Sequence, residues 1–173
     1  IEIPFFNYYL KGKGDISKIA EANIFITGAN EWKTFEQWPP ADKEDKTMYL
    51  QADGKLNALK PTSAQGFEEY VSDPNKPVPY TEDVHFNRSR EYMTDDQRFA
   101  SRRPDVLVFQ TPPLEQDVTV MGPVSVDVWL STTGTDADLV VKLVDVSPFD
   151  RPNAPNGARL AGAQTLIRAE VMR

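Results

Sequence analysis

The stretch VTVMGPVSVDVWLSTTGTDADLVVKLVDVSP, residues 118–148, decides the fold class. In its first half the apolar side chains from Val124 to Leu130 fall on alternate positions, and Ser125 and Asp127 lie between them. An alternation of period two places apolar residues on one face of a strand and polar residues on the other. The second half, beyond a turn, has the composition of another strand. The stretch therefore predicts consecutive β-strands with no helix between them.

Four more segments of the chain have the composition and alternation of strands. They are NIFITGANEW (23–32), KTMYLQ (46–51), VLVFQT (106–111) and QTLIRAEVMR (164–173). Between two apolar segments, the pair Asp53-Gly54 predicts a hairpin with a two-residue turn. About six or seven strands joined by turns are typical of an antiparallel β-sandwich. The chain is therefore predicted to be mainly β.

The N-terminal stretch PFFNYYLKGKG, residues 4–14, departs from this pattern and predicts one short helix. Pro4 suits its first turn, and Gly12 suits its C-terminal cap. Apolar and aromatic side chains surround most of this helix. A helix that is apolar on nearly all sides requires a partner on more than one side.

Composition excludes several classes of function. The chain has 173 residues, enough for one domain with a core. A net charge of −7 argues against nucleic acid or an anionic membrane as partner, because both require a basic patch. No apolar run approaches the roughly 20 residues of a membrane span. One histidine and no cysteine argue against a zinc site, and no cofactor is predicted.

His85 is the only histidine of the chain and therefore the only candidate for the base of a serine triad. A serine triad requires a base and an activated serine, and the chain contains no Gly-x-Ser-x-Gly turn. His85 lies in DVHFNRS, residues 83–89, within a long polar stretch from Lys60 to Pro104. It is either an ordinary loop residue or part of a pocket that belongs to another domain. No catalytic residue is therefore predicted in this chain.

The charges that interrupt the stretch 133–148 have two interpretations. Asp136, Asp138 and Asp145 are possible oxygen ligands of calcium, although their spacing is not that of a helix-loop-helix calcium site. The alternative is that they are structural and that a basic side chain, Lys142, pairs with them. We predict the structural role.

Two further sets of residues leave alternatives open. The basic residues Arg98, Arg102 and Arg103 lie beside acidic residues and form either an ion-pair cluster that fixes the loop or a solvated run of charge. The tryptophans Trp32 and Trp38, together with Trp129, belong either to a core or interface or to a platform for carbohydrate.

Several stretches in the same order resemble the C-terminal non-catalytic domain of X-Pro dipeptidyl-peptidase-like serine hydrolases. This group contains cocaine esterase, α-amino acid ester hydrolase and glutaryl-7-aminocephalosporanic acid acylase. Besides the opening stretch, the matching segments are ITGANEWKTFEQWPP (26–40), MYLQADGKL (48–56), YVSDPNKPVP (70–79) and DDQRFASRRPDVLVF (95–109).

The resemblance implies a non-catalytic jelly-roll sandwich over residues 15–173, which packs on the α/β-hydrolase and cap domains of the same protein. Residues 1–14 would be the last helix of that hydrolase domain, which explains why the helix is apolar on all sides. In this family the sandwich borders the substrate cleft. His85 and Phe86 are therefore expected to line one wall of it.

The resemblance also implies that the sandwich continues beyond Arg173. An unfinished sheet leaves an open strand edge, which recruits another strand. We expect either a missing remainder or an assembly that covers this edge, a homo-oligomer included. The alternative function is a stand-alone module that binds carbohydrate or another ligand.

Overall fold

A computed structural model describes residues 2–63, 66–87 and 89–173 of the chain. Residue 1 of the predicted N-terminal segment and Arg88 of DVHFNRS lie outside the described residues. Within them, six strands form three antiparallel two-stranded sheets, accompanied by short helices. The prediction of a mainly β chain with a short N-terminal helix is confirmed. The backbone divides into two compact units, Ile1–Lys46 with Asp117–Val128 and Thr47–Gln116 with Trp129–Arg173.

The first unit begins with helix α1, Glu2–Lys11. The helix ends because Gly12 adopts a φ of 61°, which favours glycine, and its N–H donates to the carbonyl of Tyr8 at 3.0 Å. None of the side chains of α1 is buried, and Ile3 and Leu10 are among the most exposed. The apolar surface of this helix is therefore uncovered within its own unit.

A hairpin follows in the same unit. Strand β1, Ala22–Ile26, pairs antiparallel with β2, Glu31–Phe35. The segment predicted as a single strand, residues 23–32, is therefore two strands around a turn. Asn30 supplies the turn with a φ of 54°, a conformation that asparagine tolerates better than most residues.

In the second unit, β3, Tyr49–Gln51, pairs with β4, Lys55–Asn57. The predicted hairpin at Asp53-Gly54 is present, but its loop has three residues, Ala52–Gly54. The carbonyl of Gly54 accepts from the N–H of Gln110 at 2.8 Å. A segment distant in sequence thus binds the edge of this hairpin.

The longest sheet joins β5, Leu139–Val146, to β6, Gln164–Met172. Both strands were predicted from their composition. The register slips between Leu143 and Val144, where Leu143 pairs with Arg168 and Val144 pairs with Leu166. The slip is a β-bulge at Ile167 of β6.

Two predicted strands are not strands within the described ranges. Residues 118–132 form no ladder, and residues 106–111 contribute one isolated bridge, between Gln110 and Lys55. Val124, Val126 and Leu130 are exposed rather than buried on one face. Alternation specifies which side chains share a face, but a strand forms only where a neighbouring backbone supplies hydrogen bonds.

The predicted long loop contains the best-buried part of the described chain. It includes a 3-10 turn at Glu91–Met93 and the short helix α2, Arg98–Ser101. Ala100 is the buried hydrophobic residue of the described ranges, and Gln97 is a buried polar one. None of the helices in the described ranges is long and apolar enough to cross a membrane.

Candidate functional site

His85 and Glu91 form the polar part of the candidate site. The 3-10 turn places the Glu91 carbonyl where the N–H groups of both Thr94 and Asp95 donate to it, each at 2.8 Å. The Glu91 carboxylate then reaches the imidazole, and its Oε2 lies 2.8 Å from Nε2 of His85. The side chain of His85 is 28% exposed, so a well-ordered turn holds the ring at a partly covered position.

Two apolar side chains flank this histidine and point into solvent. Val84 and Phe86 are fully exposed. The base of the same loop is buried, because Thr81 is covered and its hydroxyl donates to the carbonyl of Asp83 at 2.7 Å. We call Val84, His85 and Phe86 the loop tip. The loop tip thus exposes two apolar side chains above an anchored base.

An open depression of about 410 Å³ lies next to the 3-10 turn, lined by Ser89, Arg90, Tyr92 and Met93. The ring of Tyr92 packs near that of Tyr80, with centroids 6.1 Å apart. The hydroxyl of Ser89 is buried and has no hydrogen-bond partner in the described part of the chain. The wall therefore offers one unsatisfied polar group.

Gln97 anchors the segment that follows the turn. Its side chain is 2% exposed, and its backbone N–H donates to the carbonyl of Gln164 at 2.9 Å. Its Nε2 donates to the carbonyl of Asp95 at 2.8 Å, and its Oε1 accepts from Nζ of Lys142 at 2.7 Å. A buried amide with these partners is satisfied and rigid.

Asp96 and Arg98 form a bidentate ion pair beside this amide. Nε of Arg98 lies 2.9 Å from each carboxylate oxygen of Asp96, which also accepts from the N–H of Gln164 at 3.3 Å. Nη1 of Arg98 donates to the carbonyl of Ala161 at 3.3 Å. Burial acts to raise the pKa of Asp96, but the hydrogen bonds from Arg98 and Gln164 outweigh it and hold that pKa below the ordinary 3.8.

A second pair, Arg103 with Asp105, has the same form. Nε and Nη2 of Arg103 lie 2.8 Å and 2.6 Å from the two carboxylate oxygens. These hydrogen bonds lower the pKa of Asp105 from its ordinary value. Nη2 also donates to the carbonyl of Lys76 at 3.0 Å, so the pair ties distant parts of the loop together. Arg102, by contrast, is exposed.

The charges predicted as one structural group occupy two places. Asp136 accepts from Nε of Arg173 at 3.0 Å, and Asp138 lies 3.9 Å from the same atom. Lys142, which the sequence offered as their partner, instead hydrogen-bonds Gln97. Asp145 is exposed and makes no ion pair among the described residues. The partner of Asp136 and Asp138 is thus Arg173, the residue directly after β6.

Lys142 lies partly buried in the second unit. Its Nζ is 5.4 Å from the centroid of the Phe99 ring, which faces the cation. Burial lowers the pKa of Lys142, and the nearby charge of Asp95 acts in the opposite direction. The side chain is therefore an internal hydrogen-bond donor rather than a surface charge.

Sequence reasoning did not single out Gln97, although it lies within a quoted segment. Gln97 lies among charged residues, and an uncharged amide gives no signal of its own in the sequence. Across residues 2–63, 66–87 and 89–173 no three acidic or histidine side chains converge as a metal site would require. The imidazole of His85 faces a carboxylate and no serine. The observed arrangement can hold the loop in place and contact another molecule, and no serine hydroxyl of the described residues is hydrogen-bonded to His85.

Comparison with known proteins gives the class of this domain. Residues 14–172 match the X-Pro dipeptidyl-peptidase C-terminal non-catalytic domain, and the chain belongs to that family. The resemblance found in the sequence is thereby confirmed. The chain is similar to cocaine esterase from Rhodococcus sp. (strain MB1 Bresler), with 32% identity over 156 residues that cover 85% of this chain and 27% of the esterase.

A solved structure gives the same result at the level of the fold. It is the crystal structure of an aminopeptidase from the marine sediment archaeon Thaumarchaeota archaeon, with a TM-score of 0.80 and 36% identity. The similarity covers 100% of this chain and 28% of that one. The chain thus spans little more than a quarter of the length of the relatives it matches.

Proposed function

We propose that this chain is the non-catalytic β-sandwich of a serine hydrolase of the esterase or peptidase type. In this proposal it packs on the catalytic domain and forms part of the wall of the substrate cleft. The loop tip carries the proposal, because Val84 and Phe86 expose apolar surface on a loop whose base is fixed. Membership of a non-catalytic C-terminal family, and relatives several times longer than this chain, support it.

The chemistry of the whole protein would be acyl transfer, and the catalytic domain would supply the nucleophile and the oxyanion hole. The loop tip would contribute contact. Phe86 offers an aromatic face to an acyl or leaving group. Because Nε2 of His85 faces Glu91, Nδ1 is the ring nitrogen that would reach a polar atom of the substrate. These contacts would orient the substrate and exclude water.

The test is the variant F86A in the protein that contains both the catalytic domain and this chain. We expect the KM for an ester substrate to rise about tenfold with little change in kcat, because a lost contact weakens binding of the ground state and the transition state alike. The matched control is F67A, which removes another exposed phenylalanine of the same unit. Equal kinetics in the two variants would contradict the cleft-wall role.

The chain by itself is expected to hydrolyse no activated ester, because its described residues contain no nucleophile and base in contact. The measurement is release of a chromogenic alcohol from an activated acetate by the purified chain. Turnover that persists through purification and disappears in H85A would overturn the non-catalytic proposal.

One observation favours a second candidate, a carbohydrate-binding surface on the β1–β2 hairpin. The rings of Phe25 and Trp32 lie opposite each other with centroids 5.4 Å apart, and Trp32 is 65% exposed. Two positions along the hairpin, Asn23 pairs with Thr34 on the same face as these rings. This pair adds an amide and a hydroxyl to the surface. Aromatic faces with flanking amides suit sugar rings.

Glycan-array binding separates this candidate from the first. Binding that W32A abolishes and W129A retains would support it, because Trp129 is fully exposed but faces no aromatic ring in the described part of the chain. Absence of binding by the unmodified chain would refute it.

A further inference from the structure

A continuous series of contacts leads from the middle of β5 to the loop tip. Nζ of Lys142 donates to Oε1 of Gln97 at 2.7 Å, and Nε2 of Gln97 donates to the carbonyl of Asp95 at 2.8 Å. The N–H of Asp95 donates to the carbonyl of Glu91 at 2.8 Å. The carboxylate of Glu91 lies 2.8 Å from His85. Every step is within hydrogen-bond distance.

A second contact ties the other end of the loop to the same point. Oδ2 of Asp95 accepts from the backbone N–H of Glu82 at 3.1 Å. Glu82 follows the buried Thr81 and precedes the loop tip. Asp95 therefore holds both ends of residues 82–91, through its backbone on one side and its carboxylate on the other.

Lys142 and the carbonyl of Asp95 together fix the orientation of the Gln97 amide. An ammonium group only donates, so Oε1 must face Lys142, and Nε2 must then face the carbonyl of Asp95. With the lysine absent, the carbonyl of Asp95 would still accept from Nε2, but Oε1 would be buried without its donor, and this cost would loosen the amide from its place beside Asp95. Because Gln97 is 2% exposed, water has little access with which to replace the lost donor.

We propose that Lys142 is a positioning residue, which fixes the loop tip through the amide of Gln97 and the backbone and carboxylate of Asp95. The consequence for substrate binding rests on the cleft-wall function proposed above. The positioning of the loop tip by Lys142 does not rest on that function. The ion pair of Asp96 with Arg98 holds the same segment against β6, but neither of its side chains contacts the carbonyl of Asp95.

The test is hydrogen exchange measured by mass spectrometry on the full-length protein, with peptides that cover residues 80–95. K142M keeps the unbranched stem and removes the donor, and we expect exchange there to accelerate about tenfold, as for loss of one hydrogen bond to a charged group. K142R retains a donor and should restore most of the protection. Peptides across β3 and β4 should exchange as before in both variants.

Two further variants keep the test decisive if K142M folds poorly. Q97E preserves an acceptor for Lys142 but removes the donor to Asp95, so it should accelerate exchange over residues 80–95 as K142M does. K55M removes an exposed lysine of β4 and should change nothing there. Unchanged exchange over residues 80–95 in both K142M and Q97E, or equal acceleration in β3 and β4, would overturn the positioning role.

Kinetics on the same proteins separate this inference from the cleft-wall function. If the loop tip contacts substrate, K142M should raise KM several-fold with little effect on kcat, whereas K55M should leave both unchanged. Faster exchange with an unchanged KM would support the positioning role and refute the cleft wall. A raised KM without faster exchange would refute positioning by Lys142.

Discussion

At the scale of single residues, the carboxylate of Asp96 makes the free energy of unfolding depend on pH. Its pKa in the folded chain is below the ordinary 3.8, because the hydrogen bonds from Arg98 and Gln164 exceed the opposing effect of burial. A lowered pKa means that the folded state holds its proton less tightly than the unfolded state. The stabilisation is therefore complete above about pH 5 and is lost as the pH falls through 3.8 and below.

We therefore expect D96N to be less stable than the unmodified chain near neutral pH and to approach it as the pH falls toward 3. Urea unfolding at a series of pH values measures this gap. D145N is the control, because that carboxylate is exposed on β5 and makes no ion pair with any described residue. A gap for D96N that stays constant from pH 7 to pH 3 would refute the ion-pair argument.

Arg173 provides the opposite case at this scale. It pairs with Asp136, but the arginine side chain is 72% exposed, and water competes for both partners. We expect R173A to leave the denaturant midpoint unchanged within the error of measurement, whereas R98A lowers it. Equal decreases of the denaturant midpoint in R173A and R98A would contradict the argument that an exposed ion pair contributes little to stability.

The types of residue in these contacts could be predicted from the sequence, but not their partners. Charged side chains that interrupt a strand must be paired or exposed, and this much was evident for Asp136 and Lys142. Their partners lie 37 and 45 residues away in the chain, at Arg173 and Gln97. Such distances depend on how β6 and the long loop pack, which local patterns do not specify.

At the scale of elements, Gly54 has the strictest requirement. Its φ is 66°, and a Cβ at this position would lie 2.7 Å from the backbone carbonyl oxygen of Val108. A backbone atom cannot swing aside as a side chain can. We expect G54A to destabilise the chain by about 2 kcal/mol, from strain at a positive φ together with this clash.

The control for that prediction is G28A in the β1–β2 turn. A Cβ on Gly28 would have no neighbour within 4 Å, and its φ is not positive. The free energy of unfolding should therefore change by less than about 0.5 kcal/mol. Thermal unfolding followed by circular dichroism compares the two variants, and a G54A chain as stable as G28A would contradict the close approach at Val108.

The β3–β4 hairpin shows which features of an element its own sequence predicts and which it does not. Asp53 and Gly54 signal the reversal of the chain because both tolerate positive φ. The attachment of Gln110 to the hairpin edge carries no local signal. Residues 118–132 illustrate the converse, since a clear alternation there meets no pairing strand. The local sequence pattern determines which side chains share a face and where the chain turns. The pairing of strands depends on backbone that is distant in the sequence.

At the scale of the whole molecule, the described chain leaves much apolar surface uncovered. Phe5 and Phe6 of α1 are exposed, and so is Trp129. The proposed catalytic domain would cover part of this surface.

We therefore expect the isolated chain to bind a hydrophobic fluorescent dye strongly, and the dye signal per molecule to fall when the catalytic domain is present in the same polypeptide. Fluorescence of the two proteins at equal molar concentration measures the difference. Equally weak dye binding by both would argue against a covering domain.

The candidate site was predicted only through resemblance at this scale. Nothing in the local chemistry of His85 or Phe86 distinguishes a cleft wall from an ordinary loop. The structure adds the turn that holds the imidazole and the buried amide beneath it. The amide depends on a contact with β5 from a loop more than forty residues upstream, which no periodicity predicts.

The bulge at Ile167 has a consequence for the charges on the longest sheet. Lys142 pairs with Ala169, whereas it would stand opposite Arg168 if the register of Val144 with Leu166 continued along the ladder without a bulge. Two cations directly across a ladder repel each other, so that register would disfavour an ordered ammonium group at Lys142. The bulge thus places the methyl group of Ala169 opposite Lys142 and leaves the ammonium group of the lysine to Gln97.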